Sequence, residues 1–278
     1  MKRAPAPWLR SVMVEALSAR GVPEEHAAFV ADGLVEASLR AVDTHGVRLF
    51  PTYIAELDGG RARARPGLEW QREGKTTRVL DAGGALGMVA GTVAALEAVE
   101  LARENGVGAV AVANSNHFGP ASCYTLRMAR LGMIGMCFSN SDALVTPWAA
   151  KAALFGTNPL SVAALGEGEE VFCLDMATSQ VAYSRIKIFR EQDRPLEAGW
   201  AVDAEGKDGS REDAGELSAL LPLGGYKGQG LGMVVTLLTA LLADEPLDHE
   251  LSHLFAPPYD EPRRVSHLLL ALDVGAFV

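Results

Sequence analysis

A chain of 278 residues with 49% hydrophobic and 22% charged side chains has the make-up of a folded globular protein, away from disordered and membrane-spanning classes. Its net charge of −10 argues against a nucleic-acid or anionic-membrane surface, which needs clustered Lys and Arg to displace counterions. The opening MKRAPAPWLRSVMVEAL lacks the uninterrupted apolar core of a signal peptide, and no run reaches the roughly 20 apolar residues of a membrane span, so a cytoplasmic protein is expected.

Apolar positions recur at three- and four-residue spacing over residues 8–20 (Trp8, Val12, Met13) and 24–40 (Ala27, Val30, Ala31, Leu34), which predicts two amphipathic helices. A third, short helix in DTHGVRLFPTYIAELDGG is closed by the Gly59-Gly60 pair. The polar stretch RARARPGLEWQREGK is expected to be a loop, with a lobe boundary near residue 70. Residues 1–70 would then form an N-terminal helical lobe and 71–278 an α/β domain.

From Thr76 onward strands and helices alternate. TTRVLD reads as a strand, a helix follows from about Met88 to Asn105, then the strand GAVAVANS, the helix ASCYTLRMARLG and the strand MIGMCFSN. NPLSVAAL and EVFCLDMAT are the next strands, SQVAYSRIKIFR and LGMVVTLLTALLAD the next helices, and RVSHLLLALDV the last strand. Cys123, Cys137 and Cys173 fall on a helical pattern or in apolar strand-like runs and no CxxC occurs, so all three read as small hydrophobes.

The glycine fingerprint of a Rossmann dinucleotide site is missing. Gly106-Val107-Gly108 precedes a strand instead of following one, and there is no GxxxxGK[ST] loop, so any dinucleotide must be held by other architecture. LPLGGYKGQGLGMVV places Gly224, Gly225, Lys227 and Gly228 before a long apolar helix. A backbone nest, a helix start and an ammonium there outline an anion site; a tight turn with a solvated Lys227 fits as well. His249-Glu250-Leu251-Ser252-His253 matches HExxH, but Pro246 and Pro257-Pro258 leave room for little more than two helical turns, so no metal is expected.

Thr44, His45 and Arg48 lie within DTHGVR. On a helix His45 and Arg48 would share a face, suiting proton transfer to an oxygen by the imidazole and capture of a carboxylate by the guanidinium; a polar surface turn is the other reading. His117, in NSNHFGP, follows a strand, where loops of α/β sheets carry chemistry.

Taken in order, DTHGVRLFPTYI, DAGGALGMVAG, ANSNHFGPASCYT, LFGTNPLSVAA, LDMATSQVA, GWAVDAEG and LPLGGYKGQGL resemble the malate/L-lactate dehydrogenase family from about residue 8 to the end. That family also holds ureidoglycolate and sulfolactate dehydrogenases, diketogulonate reductase and piperideine-2-carboxylate reductase, and is distinct from the Rossmann-type lactate dehydrogenases. The resemblance implies an α/β fold with a mixed sheet and flanking helices, a non-Rossmann site for NAD or NADP, and a homodimer acting on a small carboxylate. It makes His45 the general acid, with Asp175 holding the imidazole and raising its pKa, although Asp175 could equally cap a helix beginning near Thr178. Thr44 would hydrogen-bond the substrate, and His117 and Thr157 would lie near nicotinamide and substrate. Ser141, Asp175, Met176, Ala177, Lys227 and Gly228 would line the cofactor.

Two departures accompany the resemblance. Some members carry Arg four residues after the catalytic His, where this chain has Leu49; its Arg48 stands one place earlier, a turn of about 100° on a helix. Members also continue for several dozen residues beyond HLLLALDVGAFV, in a segment that packs with the N-terminal helices. Without it, the stripe of Trp8, Val12, Val30 and Leu34 is expected to be uncovered and to mark a dimer interface. The expected activity is hydride transfer between nicotinamide and a 2-oxo or 2-hydroxy acid. Reduction of a cyclic imine is the alternative, and a homologue that binds ligand without turnover is a third.

Overall fold

Prolines set the first two helices. In the computed structural model, which describes residues 4–168 and 170–278, α1 (Ala6–Ser18) opens behind Pro5 with Pro7 in its first turn, where a missing N–H costs nothing. Helix α2 (Glu24–Leu39) follows Pro23 and carries Glu24 and Glu25 at the positive end of its dipole. Two single 3₁₀ turns, Asp43–His45 and Val47–Leu49, lead into α3 (Phe50–Gly59), which ends at Gly60 with φ 86°, a conformation costly for any residue with a Cβ.

The rest of the chain is β1 (Glu69–Glu73), β2 (Thr77–Asp81), α4 (Gly87–Asn105), β3 (Val107–Ser115), α5 (Ser122–Arg130), β4 (Met133–Ser139), β5 (Leu160–Leu165) and β6 (Val171–Met176). After these come α6 (Tyr183–Glu191), β7 (Ala201–Asp203), β8 (Leu217–Leu220), α7 (Tyr226–Thr236) with a π-helical continuation Leu237–Leu241, and β9 (Val265–Asp273). Most elements stand where the apolar pattern placed them. The expected loop before residue 76 instead contains β1, whose mostly exposed polar residues suit a sheet edge, where one side needs no apolar cover. The helix read through LGMVVTLLTALLAD is interrupted by the π turn, and the short hairpin of β7 and β8 was not foreseen.

Seven strands form one sheet in the order β1-β2-β3-β9-β4-β5-β6, with β2 and β3 parallel and the other neighbours antiparallel. This is the expected mixed sheet with flanking helices. Strand β9 lies at its centre, and Leu269 and Ala271 are fully buried. One core joins the N-terminal helices to the sheet: Leu17, Val30, Leu34, Tyr53, Met88, Val99, Val112 and Leu269 all belong to it. A second cluster, with Val181, Ile186, Phe189, Trp200 and Leu220, seats α6 on the β7–β8 hairpin.

The pairing fixes where the site lies. Because β9 runs antiparallel to both β3 and β4, those two point the same way, and β6 joins them through β5. The C-terminal ends of β3, β4 and β6 therefore meet at one edge with the N-terminal ends of β5 and β9, which gathers five connecting segments around one place.

Candidate active site

At that edge is a cavity of about 430 Å³. His117 enters it from the loop after β3, Ser141 and Asp142 from the loop after β4, Asp175 to Ala177 from the end of β6, Thr157 from the segment before β5, and Arg263 from the approach to β9. Thr44 and His45 close it from the 3₁₀ turn before α3. Glycine permits one of these placements: a Cβ at Gly87, the first residue of α4, would lie 2.2 Å from the Asn116 carbonyl and 2.5 Å from the His117 backbone. The loop carrying His117 thus rests directly on the helix start.

His45 Nδ1 lies 3.0 Å from Thr44 Oγ1, and its ring faces that of His117 with centroids 5.8 Å apart. Burial pushes the His45 pKa down, and the negative charge of Asp175 opposes the shift without reversing it. This corrects the expected rise. A half-buried imidazole loses more hydration on charging than a carboxylate outside hydrogen-bond contact returns. No hydrogen bond joins the two side chains among the described residues; Asp175 Oδ2 instead accepts the Ser122 amide at 2.9 Å, in the first turn of α5. Asp175 does cap a helix, then, but α5 and not the one after Thr178.

His117 is fixed through its other face. Nδ1 lies 2.9 Å from the Tyr53 hydroxyl and accepts the Gly119 amide at 3.4 Å. A nitrogen accepting an amide N–H carries no proton, so the neutral ring is protonated at Nε2 and the Tyr53 hydroxyl donates to Nδ1. Burial, then the charges of His45 and Arg263, holds the His117 pKa well below the ordinary value.

Of the residues picked from the sequence, Thr44, His45, His117, Ser141, Thr157, Asp175, Met176 and Ala177 all line this cavity. Ser141 Oγ accepts the Thr157 amide at 2.9 Å and lies 3.3 Å from its hydroxyl, which locks the two together. Arg48 is not among the lining residues. Gly46 separates the two 3₁₀ turns, so the helical face expected to hold His45 and Arg48 does not form, and the Arg48 guanidinium is exposed 4.0 Å from Glu191.

Lys227 and Gly228 also stand outside the cavity, at the start of α7. Gly224 and Gly225 have φ 58° and 70°, as a turn into that helix requires. Their amides are spent on Gln180 Oε1 and the Pro222 carbonyl, so the glycines shape the turn and do not form the expected open nest. Lys227 is exposed and has no ion pair among the described residues, and the dipole of α7 points its positive end the same way. A Cβ at Gly228 would sit 2.3 Å from the Leu223 carbonyl, so this glycine is needed for close backbone approach.

The HELSH segment is not a helix: Asp248–Glu250 is one 3₁₀ turn and His253 lies beyond it, where it lines the cavity. Among the described residues no three His, Cys, Asp or Glu side chains cluster as metal ligands.

Several buried charged residues, of which Arg263 lines the cavity, had no local signal. Arg263 is buried, with its guanidinium on Asp142 and on the Ser252 carbonyl. Asp248 is also buried, and its Oδ2 accepts the Gly156 amide at 3.0 Å, Asn158 Nδ2 at 2.8 Å and the Thr236 hydroxyl at 3.2 Å, tying both neighbours of Thr157 to α7. Glu56 is fully buried 3.7 Å from Arg61, and burial raises its pKa to about 7. These contacts join residues 11 to 121 positions apart, except that of Glu56 in α3 with Arg61 just beyond its end, so no short motif contains them.

Residues 5–278 match the family model for malate/L-lactate dehydrogenase. The chain is 35% identical over 283 residues to malate dehydrogenase of Pyrococcus abyssi, covering 99% of this chain and 77% of the relative. It is 34% identical to (2R)-3-sulfolactate dehydrogenase (NADP(+)) of Chromohalobacter salexigens over 96% of this chain and 80% of that one. It is 32% identical to ureidoglycolate dehydrogenase (NAD(+)) of Escherichia coli K12, over 89% and 70%. The fold matches malate dehydrogenase of Pyrococcus horikoshii with TM-score 0.88 at 33% identity, covering 100% and 77% of the two chains. It matches Δ1-piperideine-2-carboxylate reductase of Pseudomonas syringae with TM-score 0.89 at 28% identity, covering 98% and 82%. The chain belongs to the malate/L-lactate dehydrogenase family and is an oxidoreductase of the NAD- or NADP-dependent kind found among these relatives.

Proposed function

We propose that the protein moves a hydride between the nicotinamide of NAD or NADP and C2 of a small 2-hydroxy or 2-oxo acid. The observation that carries this reading is the pair of facing imidazoles, His45 and His117, at the wall of a cavity that also holds Thr44 and Asp175. The nicotinamide, when bound, supplies or accepts the hydride. Ser141, Thr157, Met176 and Ala177 are the cavity residues suited to its ring end, and Lys227 with the start of α7 is a fitting donor set for its phosphates.

In this reading neutral His45 takes the proton of the substrate hydroxyl during oxidation and returns it to the carbonyl oxygen during reduction. The Asp175 charge favours the imidazolium formed in between. His117, held by Tyr53, offers its Nε2–H as a fixed donor to a substrate oxygen. Apolar walls, Leu49, Phe118, Leu144 and Phe255, limit the water competing for that proton.

Trp8 is 57% exposed and Val12 40%, and α7 with its π turn exposes Tyr226, Leu231, Val234, Leu237 and Leu241. These exposed apolar side chains on α1 and on α7 suit a homodimer, and no described helix is long and apolar enough to cross a membrane. A cytoplasmic location fits that reading.

Cyclic imine reduction is a second reading. It is favoured by the low pKa of both histidines, because an iminium carbon accepts hydride without a proton donor. A panel of 2-oxo acids and cyclic imines with NADH and NADPH, followed by loss of reduced-cofactor absorbance, tests both. Turnover of an oxo acid that declines with rising pH supports the first; turnover of imines alone replaces it with the second.

A further inference from the structure

Resting on the hydroxy-acid reading above, we infer that Asp248 is a positioning residue for hydride transfer: it fixes the wall of Ser141 and Thr157, at the nicotinamide end, against α7, whose start carries Lys227 for the phosphates. Neither Asp248 nor Asn158 lines the cavity, and both are buried. Asp248 Oδ2 takes three donors at once, from two segments of the chain: the Gly156 amide at 3.0 Å, Asn158 Nδ2 at 2.8 Å and the Thr236 hydroxyl at 3.2 Å. Asn158 passes this anchorage on. Its Oδ1 accepts the Ser141 amide at 3.3 Å, and its Nδ2 also donates to the Gly232 carbonyl in α7 at 3.1 Å. Its backbone is held at φ 38°, a left-handed value uncommon outside glycine. Ser141 Oγ in turn accepts the Thr157 amide at 2.9 Å. One carboxylate oxygen thus reaches both cavity residues and the last turn of α7.

Stability alone does not account for a carboxylate at this place. Burial raises the Asp248 pKa against the opposing pull of those three bonds, and no lysine or arginine pairs with it among the described residues. A buried carboxylate without a cation carries a desolvation cost that a well-packed apolar side chain would avoid, so its return is in geometry. A backbone ladder already ties Thr157 to the start of α7, with the Thr178 amide on the Thr157 carbonyl, the Leu223 amide on that of Thr178 and the Gly228 amide on that of Leu223. A single line of attachment permits pivoting about it. Asp248 adds a second attachment at Thr236, the far end of the same helix, and two together set the orientation of the wall.

The test compares the full chain with Asp248→Ala in four measurements: Kd for NADH or NADPH, whichever it uses; Kd for ADP-ribose or its 2′-phosphate, the same cofactor without nicotinamide; single-turnover hydride transfer to a 2-oxo acid; and thermal midpoint. Hydride transfer at saturating ligands is expected to slow at least about tenfold and reduced-cofactor affinity to fall about fivefold or more, while the ADP-ribose ligand binds within about twofold. A residue serving stability alone would lower the midpoint and leave the rate per folded molecule and the ratio of the two affinities unchanged. That result overturns the inference, as does an equal weakening of both ligands. Thr236→Val keeps the side-chain shape and removes one of the three bonds, so the same split should appear at about threefold or more. Its absence there overturns the inference even where Asp248→Ala does not fold. Failure of the unmutated protein to reduce any 2-oxo acid overturns the hydroxy-acid reading and this inference with it.

Discussion

The imidazoles of His45 and His117 face each other with centroids 5.8 Å apart and planes inclined by 24°. Burial holds His45 below the ordinary histidine pKa of about 6.5, and burial, followed by the charges of His45 and Arg263, holds His117 well below it. At neutral pH both are neutral, so the resting cavity is set up to accept a proton before it donates one.

Oxidation of a hydroxy acid should therefore persist at neutral pH and fall as pH drops through the His45 pKa, below about 6.5. Reduction should fall as pH rises through the same value. His45→Ala should cut turnover by about 10² to 10⁴ with cofactor binding nearly intact. Asp175→Asn removes the charge that opposes the downward shift, so the limb should move further down. Profiles of kcat/KM against pH for the three proteins check this, and an upward limb in Asp175→Asn would exclude the assigned role.

Stability should also depend on pH through groups remote from substrate. His267, buried between Ser139 and Ser115 in β9, has its pKa pushed down to about 3. The unfolded chain binds this proton below about 6.5 and the folded chain does not, so acidification from 6.5 toward 3 costs roughly 1.4 kcal/mol per pH unit from this group. Glu56 works the other way: with a folded pKa of about 7 against an ordinary 4.5, it adds stability as pH falls through that window. Denaturant titrations at pH 7, 6 and 5 should show a shallower acid loss in His267→Gln and a steeper one in Glu56→Gln.

Lys227→Ala should weaken NAD(P) binding about ten- to a hundredfold while leaving the rate of hydride transfer at saturating cofactor nearly unchanged, as expected for loss of a charge-assisted contact to phosphate. Fluorescence titration of reduced cofactor and single-turnover rates separate the two effects. Unaltered affinity removes Lys227 from the cofactor site.

In solution the chain should be at least dimeric at micromolar concentration. Val30 and Leu34, expected in the uncovered stripe, are fully buried within the chain, so Trp8, Val12 and the exposed face of α7 now carry this expectation. Sedimentation velocity decides it, and Leu237→Glu should shift the distribution toward monomer.

A chelator should leave both activity and thermal midpoint unchanged, because His249 and His253 do not share a helical face. Stoichiometric zinc lost together with activity would overturn this.

Local periodicity and glycine placement were enough to locate α1 to α5 and most strands, because apolar spacing and left-handed turns such as Gly60 depend on near neighbours in the chain. The residues His45, Thr44, His117, Thr157 and Asp175 were legible because each lies in a short segment that resembles its family counterpart. Tertiary structure alone decided which of them meet, since that depends on β3, β4 and β6 pointing the same way across β5 and β9. It also decided the fate of Arg48, which a helical reading aimed at the site and the break at Gly46 sends to Glu191. The commitment of Arg263 to Asp142, and the downward direction of the His45 pKa, were likewise out of reach. Both come from burial and from charges distant in sequence, which no local pattern encodes.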